Sequence, residues 1–136
     1  MTLPSPLRIL LLAGLLATLP ACSTPDAAPH GKMVMSELYF GFSKPSGGTV
    51  STREWEQFLQ NEITPRFPDG LTIMDGAGQW RTRSGVIVRE QTKVLRIIHP
   101  ATAGQRARIR ELRERYMELF GQEMVLEVVS PVRVVF

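Results

Sequence analysis

The stretch LTIMDGAGQWRTRSGVIVREQTKVLRIIH, residues 71–99, decides the fold because it holds two strand patterns with no helix between them. Apolar, β-branched and aromatic residues recur over 71–81 and 86–99, and Ser84-Gly85 between them is typical of a tight turn. The stretch therefore predicts a β-hairpin. A two-residue turn at that point places Gln79 opposite Glu90, Trp80 opposite Arg89 and Ile73 opposite Arg96.

A helix is predicted on each side of the hairpin. Before it, Ser51 and Glu54 form an S-x-x-E capping box, and an apolar stripe at helical spacing runs up to Pro65. After it, Thr102 opens a T-x-x-Q box, and Gly121 suits the residue that follows a helix. The first stripe is Trp55, Phe58, Leu59 and Ile63; the second is Ile109, Leu112, Tyr116, Leu119 and Phe120.

Strand patterns also stand at both ends of the domain. Residues 33–42 form the first, and residues 124–129 with 132–136 form the last, where Pro131 predicts a bulge or an edge strand. The order is strand, helix, strand, strand, helix, strand. It predicts an α+β class, a single ferredoxin-like (βαββαβ) domain with a four-stranded antiparallel sheet and two helices on one face.

The N-terminal residues predict export. Arg8 precedes a short apolar run, about half the roughly 20 residues that a membrane-spanning helix needs, so residues 1–21 resemble a cleaved signal peptide. Leu19-Pro20-Ala21 before Cys22 resembles the lipobox of bacterial lipoproteins, although Pro20 departs from the usual small residue. An ordinary signal peptide with an incidental cysteine is the alternative.

The predicted mature chain consists of a lipidated Cys22, a flexible tether over residues 22–32 and one α+β domain over residues 33–136. Acylation of Cys22 would anchor it in a membrane, and Ser23 resembles the pattern that directs enteric lipoproteins to the outer membrane. We therefore expect a position on the periplasmic face of the outer membrane.

Composition limits the function classes. The formal net charge of the chain is +3, and loss of residues 1–21 removes one charged side chain, Arg8. A charge this small gives no basis for nucleic-acid binding. We predict no metal site and no cofactor, because His30 and His99 are the two histidines and Cys22 is the one cysteine. His99 has no identifiable serine or cysteine partner, which favours a structural role.

Several segments together resemble a family of bacterial proteins of unknown function, many of them lipoproteins. The segments are FGFSKPSGGTVS, WEQFLQNEITPRFPDGLTIMDGAGQW, EQTKVLRIIHP and FGQEMVLEVVSPVRVVF, and residues 64–80 are the most specific. The resemblance covers nearly the whole predicted domain. It implies a protein of the cell envelope and carries no activity, substrate or catalytic residue.

The hairpin holds the candidate ligand or interaction site. Gln79, Trp80, Glu90 and Lys93 surround Gly76 and Gly78, which can bend a strand. On a regular strand Glu90 and Lys93 point to opposite faces, and a bulge would bring them together. The same side chains also fit a salt-bridge and hydrogen-bond set on a solvated face. No catalytic residue is predicted.

Two functions remain open. The first is a small cell-envelope lipoprotein that acts as a binding or interaction module, with a homodimer or a protein partner bound through the sheet. The alternative is a small cofactor-independent enzyme of the dimeric α+β barrel type. Apolar residues on both faces of the 86–99 strand predict that one sheet face is left for a partner.

Overall fold

The computed structural model describes residues 31–135, and its elements have the predicted order. They are β1 (Met33–Gly41), α1 (Thr52–Phe58), a π-helical segment (Leu59–Ile63), β2 (Thr72–Arg81), β3 (Ile87–Pro100), α2 (Ala103–Phe120) and β4 (Leu126–Val132). The strands form one antiparallel sheet in the order β2-β3-β1-β4. The ferredoxin-like prediction is confirmed. The predicted signal peptide, Cys22 and the tether up to His30 lie outside the described residues.

The capping box predicted for the first helix is complete, and the one predicted for the second is half formed. The hydroxyl of Ser51 accepts from the backbone N–H of Glu54 at 3.3 Å, and the Glu54 carboxylate accepts from the N–H of Ser51 at 2.8 Å. Thr102 accepts from the N–H of Gln105 at 3.3 Å, but the side-chain oxygen of Gln105 has no hydrogen-bond partner among residues 31–135. The first helix ends as a π-helical segment, in which the N–H of Thr64 donates to the carbonyl of Leu59 at 2.9 Å, just before Pro65.

The helices pack on one face of the sheet. Phe40 on β1 contacts Trp55 of α1 and Tyr116 of α2, with ring centroids 5.5 and 4.7 Å away. Alternate strand residues such as Leu38 and Leu95 complete this core and are fully buried. The other face, here called the open face, has no helix of residues 31–135 on it. It carries Tyr39, Met74, Val94 and Leu126, which stand opposite one another across the sheet.

The predicted register of the hairpin is wrong by one residue. Gln79 stands opposite Arg89, Trp80 opposite Val88 and Ile73 opposite Leu95. The cause is a three-residue loop, 83–85, closed by a bond from the Thr82 N–H to the Val86 carbonyl at 2.9 Å. Gly85 ends the loop at φ 88°, a left-handed conformation that suits glycine. A register shift of one residue moves every side chain of β2 to the other face of the sheet relative to β3.

The last strand also differs from the prediction. β4 runs without interruption from Leu126 to Val132, and Pro131 stands in regular register opposite Val34. Pro131 therefore makes no bulge. It is accommodated because β4 is an edge strand with a single neighbour, β1. Residues 133–135 do not extend the strand. Between residues 31 and 135, no helix is long and apolar enough to cross a membrane.

Candidate ligand-binding site

A cavity of about 470 Å³ opens on the open face. Its floor is low because Gly41 on β1 and Gly76 and Gly78 on β2, on the two sides of β3, carry no side chains. Apolar walls rise around this floor from neighbouring positions, namely Tyr39, Trp80, Val94, Met124 and Leu126. The polar members of the lining are Gln79, Glu90, Thr92 and Gln122. The arrangement suits a small molecule with an apolar body and a few polar contacts.

The carboxylate of Glu90 lies on the cavity floor. It accepts a hydrogen bond from the backbone N–H of Ser43 through Oε2 at 2.7 Å. It also occupies the space beside Gly41, since a Cβ added to Gly41 would lie 2.7 Å from the Glu90 Cδ. Ser43 is held in turn by Gln122, whose Nε2 donates to the Ser43 carbonyl at 2.8 Å. The site therefore depends on the chain just after β1.

Trp80 contributes a free donor as well as apolar surface. Its indole Nε1 is buried and makes no hydrogen bond to any residue from 31 to 135. A buried N–H without an acceptor is unfavourable by about 1–3 kcal/mol. Because this atom is shielded from solvent, a molecule in the open cavity could accept from it only if the Trp80 side chain moved.

The four predicted site residues divide between the two faces. Trp80 and Glu90 lie together on the open face. Lys93 points toward the helices, where it pairs with Asp75. Gln79 borders the cavity, but its amide oxygen accepts from the Arg89 Nε at 3.2 Å. β3 pairs residue by residue with β2 throughout, so no bulge joins Lys93 to Glu90.

Other residues of the cavity were not found by sequence reasoning. Gly41, Ser43, Thr92, Gln122 and Met124 come from three separate parts of the chain. The available signal was Gly41 at the end of an aromatic strand, because a glycine inside a strand often marks a close approach of other groups.

Gly41 also connects the cavity to the core. Its carbonyl accepts from the Tyr116 hydroxyl at 2.9 Å on the helix side of the sheet. Burial is the main reason that the pKa of Tyr116 lies well above its ordinary value, and the negative charges of Glu90 and Glu54 raise that pKa further. The charge of Glu90 on the open face therefore affects the pKa of Tyr116 on the helix side of the sheet.

His99 has a serine partner that the sequence did not reveal. The Oγ of Ser36 lies 3.0 Å from its Nε2, and Ser36 also donates to Glu127 at 3.2 Å. Arg113 of α2 donates to the same carboxylate at 2.9 Å. Ser36 and His99 are buried on the helix side of the sheet, opposite the cavity, and the expected structural role fits this placement.

The fold and the cavity together define a small α+β domain with a ligand-sized site on its helix-free sheet face. The chain belongs to the family described as "Protein of unknown function (DUF3574)", whose model matches residues 35–136. The predicted membership of a family of unknown function is therefore confirmed. No curated protein matches the chain.

Solved structures share the fold at low sequence identity. A phage SAM lyase in complex with S-methyl-5'-thioadenosine is 15% identical, has a TM-score of 0.62 and aligns over 75% of this chain and 83% of its own. The apo state of a phage SAM lyase is 17% identical, with a TM-score of 0.57 over 77% of this chain and 85% of its own. CutA from Synechococcus elongatus PCC7942 is 11% identical, with a TM-score of 0.47 over 75% and 78%.

Proposed function

We propose that this protein is a small cell-envelope lipoprotein whose domain binds a small molecule in the open-face cavity. The observation that carries the proposal is the cavity itself, about 470 Å³ in volume, with a glycine floor, apolar walls and a single carboxylate. Cavities of roughly 300–1,000 Å³ with few, placed polar groups are typical of ligand sites.

Support for the envelope location comes from the sequence. Leu19, Pro20 and Ala21 before Cys22 resemble a lipobox, and the Pro- and Ala-containing segment that follows suits a tether. A multiply acylated Cys22 would hold the domain at a membrane surface, because stable anchoring takes more than one lipid chain. The periplasmic face of the outer membrane remains the proposed location.

A partner bound through the sheet is part of the same proposal. Ile98, Leu126 and Val128 lie on the open face and are 49%, 53% and 39% exposed. Leu126 and Val128 are neighbours on β4, and the ion pair of Glu37 and Arg96 lies between Val128 and Ile98. A second copy of the chain packed on this face would cover these apolar side chains.

An enzyme is the second candidate. The phage SAM lyase with a similar fold was solved with S-methyl-5'-thioadenosine, so a domain of this fold can hold a molecule of nucleoside size. Two paired open faces would enclose both cavities, as in a dimeric α+β barrel. Glu90 is then the group placed to exchange a proton with a substrate. The structural similarity to the phage SAM lyase supports a shared fold, and it does not indicate which reaction this protein would catalyse.

Co-purification tests the binding function. The full chain carrying Cys22→Ala would be incubated with envelope extract and examined by native mass spectrometry. Gly76→Leu fills the cavity, because a Cβ at Gly76 meets only ordinary contacts of 3.8 and 4.0 Å. Gly104→Leu is the matched control, since a Cβ there meets no atom within 4 Å. An added mass kept by Gly104→Leu and lost by Gly76→Leu supports the proposal. The absence of any added mass overturns it.

A further inference from the structure

We propose that the ligand of the open-face cavity is an organic monocation with an apolar or aromatic body, such as an alkylammonium compound. This inference rests on the proposed binding function and names its ligand class. Three observations carry it: the unpaired charge of Glu90, the availability of one of its oxygens, and the aromatic walls.

The first observation is the charge of the cavity. Glu90 is the one charged residue among the described residues that line it. No Lys, Arg or His nitrogen of residues 31–135 lies within 4 Å of its carboxylate. Of the five other half-buried glutamates, Glu37, Glu54, Glu62 and Glu127 each hold a lysine or an arginine within that distance, and Glu123, which does not line the cavity, holds none among residues 31–135. A half-buried carboxylate without a cation favours a positively charged ligand.

The second observation is which oxygen of Glu90 remains available. Oε2 accepts from the Ser43 N–H at 2.7 Å, and that bond fixes the orientation of the carboxylate. Oε1 has no donor among residues 31–135 and lies beside Gly41. An ammonium group entering the cavity can therefore donate to Oε1 without displacing a protein contact. Hydrogen bonds between charged groups are about twice as strong as those between neutral groups.

The third observation is the composition of the walls. Tyr39 and Trp80 border the same cavity as Glu90, and aromatic faces attract cations as well as apolar groups. Val94, Met124 and Leu126 supply the remaining surface for an apolar body. A fully hydrated inorganic cation would leave this surface unused, whereas an organic cation would cover it.

Nuclear magnetic resonance titration of the full chain carrying Cys22→Ala tests the inference. The indole N–H of Trp80 reports binding at the site. The probes are 2-phenylethylammonium chloride and its neutral counterpart 2-phenylethanol, which differ in charge and little in size. We expect the ammonium probe to bind about tenfold more tightly than the alcohol, the effect of one hydrogen bond to a charged group.

Three variants separate charge from structure. Glu90→Gln retains an oxygen for the Ser43 N–H and removes the charge, so the preference for the ammonium probe should fall below about threefold. Gly41→Ala should have the same effect, because its Cβ would displace the flexible carboxylate. Asp75→Asn removes a carboxylate from the helix face of the sheet and should leave the preference unchanged.

The outcomes distinguish the inference from the function on which it rests. Equal affinity for both probes, with the Trp80 resonance shifted by each, overturns the cationic ligand class and leaves the cavity as a binding site. A preference that survives in Glu90→Gln also overturns the inference. Failure of both probes to shift the Trp80 resonance counts against the cavity as a binding site and therefore against both proposals.

Discussion

The hydroxyl oxygen of Ser36 lies 3.0 Å from the Nε2 of His99, and the two residues are 1% and 3% exposed. Ser36 also donates to the carboxylate of Glu127 at 3.2 Å, and the Nδ1 of His99 lies 2.9 Å from the carbonyl of Pro100. The Ser36 hydroxyl therefore joins the imidazole and the carboxylate in one group of hydrogen bonds on the helix side of the sheet.

Removal of the Ser36 hydroxyl should destabilise the domain. Ser36→Ala leaves the buried Nε2 of His99 without a partner and removes one of the two donors to the Glu127 carboxylate, so we expect the free energy of unfolding to fall by about 1–3 kcal/mol. Urea unfolding provides the measurement. Ser130→Ala on the edge strand β4 is the control, because Ser130 is half-exposed. Equal stability of the two variants would mean that the buried bonds contribute nothing.

Substitution of the two tryptophans should have different effects, Trp55→Ala mainly on stability and Trp80→Ala mainly on ligand binding. Trp55→Ala removes a side chain that is 4% exposed from the core and should lower the free energy of unfolding by about 3–5 kcal/mol. Trp80 is half-buried at the cavity, so Trp80→Ala should lower it by less than about 2 kcal/mol and weaken ligand binding. Urea unfolding and titration with 2-phenylethylammonium measure the two effects. A Trp80→Ala variant with unchanged affinity would remove Trp80 from the site.

Acid should weaken the start of α1. The pKa of Glu54 is lowered from 4.5 to about 2, mainly by the hydrogen bond from the Lys44 ammonium at 2.7 Å and then by those from Ser51. A folded pKa below the unfolded value means that this contribution is complete above pH 4.5 and is lost as the pH falls toward 2. The melting temperature of Glu54→Gln should therefore depend less on pH in that window than that of the wild type. Glu56→Gln should match the wild-type slope, and equal slopes in all three proteins would contradict the prediction.

Anchoring should depend on Cys22. Cys22→Ala should abolish labelling by a clickable fatty acid and release the processed protein from the membrane fraction. Pro20→Ser restores the commoner lipobox pattern and should not slow processing. Unchanged labelling of Cys22→Ala would show that the lipoprotein assignment is wrong.

Self-association should depend on the open face. Val128→Lys places a charge among the exposed apolar residues of that face and should shift sedimentation toward the monomer. Val129→Lys is the matched control, because Val129 is the next residue on the same edge strand and points to the opposite face. A wild-type protein that sediments as a monomer at high concentration would rule out the dimer.

The elements of the fold are largely predictable from the sequence because their signals are local. Ser51 with Glu54 and Thr102 with Gln105 mark the helix starts within four residues, and the alternating pattern marks the strands. The cavity depends instead on contacts between residues that are far apart in the sequence. Gly41 on β1 contacts Glu90 on β3. No local sequence pattern shows that the Glu90 carboxylate occupies the space beside Gly41.

The faces of the hairpin are harder to predict than its existence. Thr82 to Val86 is compatible with a two- or a three-residue loop, and the choice decides which residues face Glu90. The pairing of Ser36 with His99 was missed for a similar reason. Those residues are 63 positions apart, and only the sheet order β3-β1 brings them together.

The three-residue loop at 83–85 has a consequence for how the gene can change. If the codon for Ser84 were deleted and the loop kept three residues, now 82, 83 and 85, Arg81 would stand opposite Val86 and β2 would move by one position against β3. Asp75 and Ala77 would then take the places of Gly76 and Gly78, and Trp80 would turn toward the helix side. Side chains would fill the floor of the cavity, and Ile73 would leave the core. A homologue can therefore conserve every site residue and still lack the site, because a change of one residue in the length of this loop alters the register of β2 against β3.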